Sequence, residues 1–212
     1  MPTLQLPTRL QAFSQSKKRY CILLGGRGSG KSVAIADMSL LSAQMSKIKT
    51  ACFREYQTSI DDSCHALLRS EIERLNLSGF EVQTQQILFN NEPVFRFKGL
   101  AKNYEGIKSM SGFQRFWVEE AQTISEQSLR ALSHTLRSEN SQIFMSANPR
   151  SSADSFSQRF IKPFEKKLRR DKFYEDDMHL IVWLNYDDNP FFPEVLEQER
   201  LNDKETMSAA LY

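Results

Sequence analysis

The chain has 212 residues, a length that suits one large α/β domain with a full core and leaves space for a small second subdomain. Its 28 Lys and Arg against 26 Asp and Glu give a net charge of +2, so bulk charge neither demands nor excludes nucleic acid, which a local basic patch could still hold. Cys21, Cys52 and Cys64 lack C-x-x-C spacing and His65, His134 and His179 are scattered, which argues against disulfides and zinc; the N-terminus lacks a signal-peptide pattern and no apolar run reaches bilayer-spanning length, which points to the cytosol and no membrane.

Residues 19–24, Arg-Tyr-Cys-Ile-Leu-Leu, read as a buried strand, and residues 33–41 as an apolar helix. Between them, Gly25-Gly-Arg-Gly-Ser-Gly-Lys-Ser32 fits the phosphate-binding pattern G-x-x-x-x-G-K-[ST] at every fixed position. Such a loop needs a strand to bring it in and a helix whose first N–H groups face the phosphates, and both flanks are predicted. Gly25, Gly26, Gly28 and Gly30 are expected to take positive φ and let backbone N–H groups, with those of Arg27 and Ser29, form an anion nest. Lys31 is expected between the β- and γ-phosphates of a nucleoside triphosphate, and the Ser32 hydroxyl on Mg²⁺.

Further strands are predicted over residues 50–54, 116–119, 143–147 and 180–184, alternating with helices, the pattern of a parallel sheet covered by helices. Residues 70–77 read as a helix with Leu68, Ile72 and Leu75 on one face. Residues 80–88 and 94–99 read as two strands of an antiparallel edge hairpin, joined by Asn90-Asn-Glu-Pro93. Thr123-Ile-Ser-Glu126 has capping-box spacing ahead of Leu129 and Leu132. Arg150-Ser-Ser-Ala-Asp-Ser reads as a loop, and the basic run Lys162, Lys166, Lys167, Arg169, Arg170 and Lys172 as a solvated helix face in preference to a DNA contact. Residues 193–204 read as a helix, and residues 206–212 begin another that stops short, as in a fragment of a longer protein.

Hydrolysis needs an acid for the metal and a base for water. Phe116-Trp-Val-Glu-Glu120, an apolar strand ending in two acids, is a Walker B arrangement: Glu119 reaches the Mg²⁺ shell and Glu120 polarises the attacking water. In Ile143-Phe-Met-Ser-Ala-Asn-Pro149, Asn148 can contact a γ-phosphate oxygen and the lytic water, or Asn-Pro simply makes the turn. Arg27 is either an arginine finger acting in cis or a surface residue at a variable position.

These three motifs, with Phe97-Lys-Gly-Leu100, Ile107-Lys-Ser109 and Tyr186-Asp-Asp-Asn-Pro-Phe191, resemble a tailed-bacteriophage terminase large subunit, in its N-terminal ATPase domain, over nearly the whole chain. The resemblance implies a P-loop NTPase of the additional-strand, RecA/helicase-like type, with a mostly parallel sheet, helices on both faces and an extra strand between the P-loop and Walker B strands. It implies an ATPase motor using ATP and Mg to drive double-stranded DNA into a prohead in the host cell cytoplasm. The implied partners are the terminase small subunit and the portal, with a homo-oligomeric ring when docked and a monomer in isolation. By analogy Arg27 is the loop arginine, Glu119 the magnesium acid, Glu120 the catalytic acid, and Ser146 to Asn148 the coupling motif. Glu119 departs from the more usual aspartate, so its metal contact is expected through water. The family's nuclease domain has no room after Lys204, so residues 1–184 are assigned to the ATPase core and 185–212 to a helical linker towards that domain. Residues 8–13 are placed beside the adenine. The competing expectations are another P-loop nucleic-acid motor and a non-enzymatic nucleotide switch. A GTPase is disfavoured, because no N-K-x-D motif occurs.

Overall fold

The computed structural model describes residues 8–56, 64–101, 106–107, 109–110 and 112–206. Among them, nine strands form one sheet: β1 (Tyr20–Leu24), β2 (Thr50–Arg54), β3 (Phe80–Val82), β4 (Gln86–Phe89), β5 (Glu92–Gly99), β6 (Arg115–Val118), β7 (Gln142–Ala147), β8 (Phe173–Glu175) and β9 (His179–Trp183), in the order β3-β4-β5-β2-β6-β7-β1-β9-β8. The stretch from β5 to β9 is parallel throughout, and β3, β4 and β8 run antiparallel at the two edges. Strands buried on both faces lose the alternation of a half-exposed strand and become continuous apolar runs. This explains why β1 and β7, every residue of which is buried, were legible from hydrophobicity. β7 lies between β1 and β6, which is the extra strand that the resemblance implied.

Among the described residues the longer helices are α1 (Gln11–Gln15), α2 (Lys31–Ser46), α3 (Ala66–Arg74), α4 (Glu126–Thr135), α5 (Ser155–Phe160), α6 (Glu165–Asp171) and α7 (Glu194–Thr206). The period of two along β1 divides them. Cys21 and Leu23 join a core with Phe13, Ile35, Leu68 and Ile72 from α1, α2 and α3. Tyr20, Ile22 and Leu24 join a second core with Leu129, Leu132, Phe160 and Leu168 from α4, α5 and α6. Helices therefore cover both faces, and all three cysteines are buried as thiols.

Several expectations change in detail. Residues 80–88 are not one strand but β3 and β4, so the edge is a three-stranded meander. Asn90 and Asn91 make its tight turn with φ of 49° and 66°, values that asparagine tolerates better than most residues. Pro93 belongs to β5 instead of the turn; β2 pairs with β5 only from Phe95 onward, so the missing N–H costs no bond in that ladder. The helix expected at 70–77 begins at Ala66, and Leu75 closes it. Ser125, not Thr123, caps α4, its Oγ accepting the Ser128 N–H at 3.1 Å, while Thr123 donates to the Glu120 carbonyl. α7 covers the helix expected at 193–204, and residues 207–212 lie outside the described residues. In the basic run, Arg169 and Arg170 pair with Glu165 and Asp171, and Lys167 and Lys172 lie over the rings of Tyr174 and Trp183.

Candidate nucleotide site

Register decides what meets at the edge of the sheet. Leu24 stands opposite Ala147 of β7 and Trp183 of β9, and Val118 of β6 opposite Met145. The segments after β1, β6, β7 and β9 therefore leave from the carboxyl ends of parallel strands, where open α/β sheets bind ligands. Gly25 N–H donates to Ala147 O at 3.1 Å and Leu184 N–H to Leu24 O at 2.8 Å, tying three of these segments together. A cleft of about 750 Å³ opens above them.

Arg27, Gly28, Ser29, Gly30, Lys31 and Ser32 line this cleft, and α2 begins at Lys31, so its first N–H groups face the space where a phosphate would sit. Gly28 and Gly30 take φ of 76° and 78°. At Gly25 a Cβ would lie 2.2 Å from the Leu184 carbonyl oxygen, so only glycine allows the loop to leave β1 there. Gly26 is a correction: it is exposed, has no positive φ, and a Cβ there would meet nothing within 4 Å. The Lys31 ammonium donates to Gly26 O at 2.7 Å and to Ser29 Oγ at 3.0 Å. Burial pushes its pKa down, against the attraction of Glu119.

Glu119 sits just past β6, its N–H held by Phe53 O at 2.8 Å. Its carboxylate takes one hydroxyl on each oxygen: Ser32 Oγ donates to Oε1 at 2.7 Å, and Ser146 Oγ to Oε2. Burial pushes its pKa up, opposed by those hydroxyls and by Arg54 and Lys31. Donors that are all oxygen, with one partly buried carboxylate and the Ser32 hydroxyl facing the phosphate loop, suit a hard divalent cation such as Mg²⁺. Glu120 is exposed and left-handed, with φ 53° and ψ 45°, a conformation costing an L-residue about 1–2 kcal/mol. Such outliers collect where surrounding structure holds a functional group in place. Its Oε1 pairs with Arg54 Nη2 at 2.7 Å, from the end of β2.

Asn148 follows β7 into the cleft, its N–H donating to Gln122 Oε1 at 3.0 Å. Arg27 lies exposed at the rim, with no side-chain partner among the described residues. The structure thus brings together Arg27, Lys31, Ser32, Glu119, Glu120 and Asn148. None of the basic residues from Lys162 to Lys172 lines the cleft. Of residues 8–13, Leu10 lines it.

Sequence reasoning missed four contributors. Arg54 was legible only as a strand end, and Gln122 carried no signal. Asn189 lay inside a quoted motif without a role; its Nδ2 donates to Gly28 O at 2.6 Å. Asp37 of α2 lines the cleft beside Glu71 and Arg74 of α3, and Arg74 pairs with both carboxylates at 2.5 Å.

The model of the family described as phage terminase large subunit matches residues 17–211. The chain belongs to that family. The terminase large subunit of phage PBSX from Bacillus subtilis (strain 168) is 27% identical over 169 residues, 77% of this chain and 38% of its own length. The large terminase of a thermophilic bacteriophage superposes with a TM-score of 0.73 at 12% identity, over 97% of this chain and 52% of that one, and it has also been solved with ADP and with ATP-γ-S. The N-terminal domain of the bacteriophage phi29 DNA packaging ATPase superposes with a TM-score of 0.67 at 13% identity, over 87% of this chain and 97% of that one. The fold is that of the P-loop NTPase domain of terminases. This family member spans about two-fifths of the PBSX protein and about half of the thermophilic phage's terminase.

Proposed function

We propose that this chain is the ATPase motor portion of a terminase large subunit, coupling ATP hydrolysis to translocation of double-stranded DNA into a prohead. The observation that carries this is the meeting of Lys31, Ser32, Glu119 and Glu120 in one cleft at the strand ends. Lys31 exchanges its bonds to Gly26 and Ser29 for phosphate oxygens. Ser32, backed by Glu119, would hold Mg²⁺, which when bound would neutralise phosphate charge. Glu120 leaves Arg54 to take the proton of the attacking water, Arg27 answers charge on the γ-phosphoryl group, and the Asn148 amide contacts its oxygens.

The packaging role is supported by family membership and by the phi29 relative's description as a DNA packaging ATPase. It implies double-stranded DNA, a portal on the prohead and a terminase small subunit as partners, a ring of copies when docked, and the host cytoplasm as the place of work. Residues 1–184 form the ATPase core in this proposal, and 185–212 lead towards a nuclease domain in the remainder of such a protein. The test is Mg²⁺-dependent phosphate release from ATP by the purified chain, with Lys31→Ala as background. Equal rates in the two proteins would remove the ATPase assignment.

A further inference from the structure

The segment after β9 begins with a tight, capped turn. Asp188 Oδ2 accepts the Asn185 N–H at 2.8 Å and the Arg9 guanidinium at 3.4 Å, and Tyr186 packs on Phe192 with ring centroids 5.5 Å apart. This turn presents Asn189 to the phosphate-binding loop. Its Nδ2 donates to Gly28 O at 2.6 Å while its Oδ1 accepts the Phe191 N–H at 3.0 Å. One partner can only accept and the other only donate, so the two bonds fix which way the amide faces. Phe192 fills the space above Gly28: a Cβ there would lie 2.4 Å from its ring and 3.4 Å from Leu196 in the first turn of α7.

The chemistry of the peptide unit gives these contacts a consequence. No peptide bond among the described residues is cis, and a trans peptide points its C=O and the following N–H in opposite directions. Holding the Gly28 carbonyl therefore fixes the direction of the Ser29 N–H, a donor of the phosphate loop. The glycines at 25, 28 and 30 all take positive φ, so the loop's own sequence does little to hold that peptide.

We propose that Asn189 is a positioning residue for nucleotide binding: it clamps the Gly28–Ser29 peptide in its phosphate-binding orientation, and Phe192 and Leu196 carry the state of the loop into α7. The proposal rests on the assignment of the cleft to a nucleotide. Without the clamp, the ligand itself must order the loop, and that ordering is subtracted from affinity.

Asn189→Asp tests it. The carboxylate is isosteric and still accepts the Phe191 N–H, but it has no donor for the Gly28 carbonyl. ADP affinity by calorimetry should fall about tenfold, the effect of one lost hydrogen bond at a site that stays folded. KM for ATP should rise by a similar factor, and kcat should fall by a smaller one. ADP should slow hydrogen exchange in α7 of the wild-type chain and do so much less in the variant. Asn189→Ala should behave alike, and if it does not fold the aspartate variant decides alone. ADP affinity within about twofold of wild type in Asn189→Asp overturns the clamp, as does a loss of kcat at unchanged KM. Failure of the wild-type chain to bind ADP would instead overturn the nucleotide assignment, a separate result.

Discussion

Glutamine at Glu119 and at Glu120 should produce two different defects, because the acids stand in different relations to the chemistry. Glu119 is partly buried, and each of its carboxylate oxygens takes one hydroxyl, from Ser32 and Ser146. Burial disfavours its charge, so a neutral amide costs the fold little, and either serine can turn its hydroxyl to accept from the new N–H. What disappears is the charge behind Ser32 Oγ, 2.7 Å away; in the proposed site this is an outer-shell relation to the metal, a kind of contact whose loss typically changes affinity about 10- to 100-fold. Glu119→Gln should therefore raise the Mg²⁺ concentration for half activity by about that factor and recover much of its rate at high Mg²⁺. Glu120 is half exposed, and its pair with Arg54 is worth about 0.2–1 kcal/mol, so Glu120→Gln should hardly alter melting. Its kcat should nevertheless fall by about 10² to 10⁴, the usual loss when a general base is removed, with ATP affinity and Mg²⁺ dependence close to wild type. Phosphate release against Mg²⁺ at saturating ATP separates the two. Normal hydrolysis by Glu120→Gln, together with a Glu119→Gln that is inactive at every Mg²⁺ concentration, would show the roles to be reversed.

Lys31→Ala should weaken ATP binding by about a hundredfold or more, since two charge-assisted bonds to phosphate are lost; calorimetry on the folded variant showing near-normal affinity would refute the phosphate assignment. Arg27→Ala should leave ATP affinity within about tenfold while kcat falls further, because a finger acts on transition-state charge; an unchanged kcat would move that role to another subunit. Asp37 is pushed up to about 7, by burial first and by Glu71 next, against the pull of Arg74. Its folded pKa thus lies above the unfolded value of about 3.9, so ionisation takes stability away as pH rises between those two values and takes nothing below them. Asp37→Asn, which cannot ionise, should gain melting temperature relative to wild type as pH rises from about 4 to 7, and a difference that is constant with pH would refute this.

The parts legible in the sequence share a physical cause. β1 is a continuous apolar run and β2 and β7 have apolar centres because helices bury both faces, and the loop at 25–32 is recognisable because its pattern, spaced as a phosphate requires, falls within eight consecutive residues. β8 escaped because a three-residue edge strand with no buried residue leaves no hydrophobic pattern. The break between β3 and β4 escaped for the same reason, since the five residues from Gln83 to Ile87 include only one apolar side chain. Glu120 is legible by position, but nothing in a glutamate announces a left-handed backbone.

Arg54 and Asn189 were missed for a different reason. Each acts on a motif residue from another strand end: Arg54 reaches Glu120 from β2, and Asn189 reaches Gly28 from 161 residues away along the chain. Strand register, not local spacing, brings them to the same edge. A chemical motif names the groups that touch phosphate, metal or water, whereas the groups that aim them can come from any strand that ends beside them. In the proposed site those are Arg54 beside Glu120 and Asn189 beside Gly28, so variants at these two positions should change how the motif residues are presented while leaving the motif itself intact.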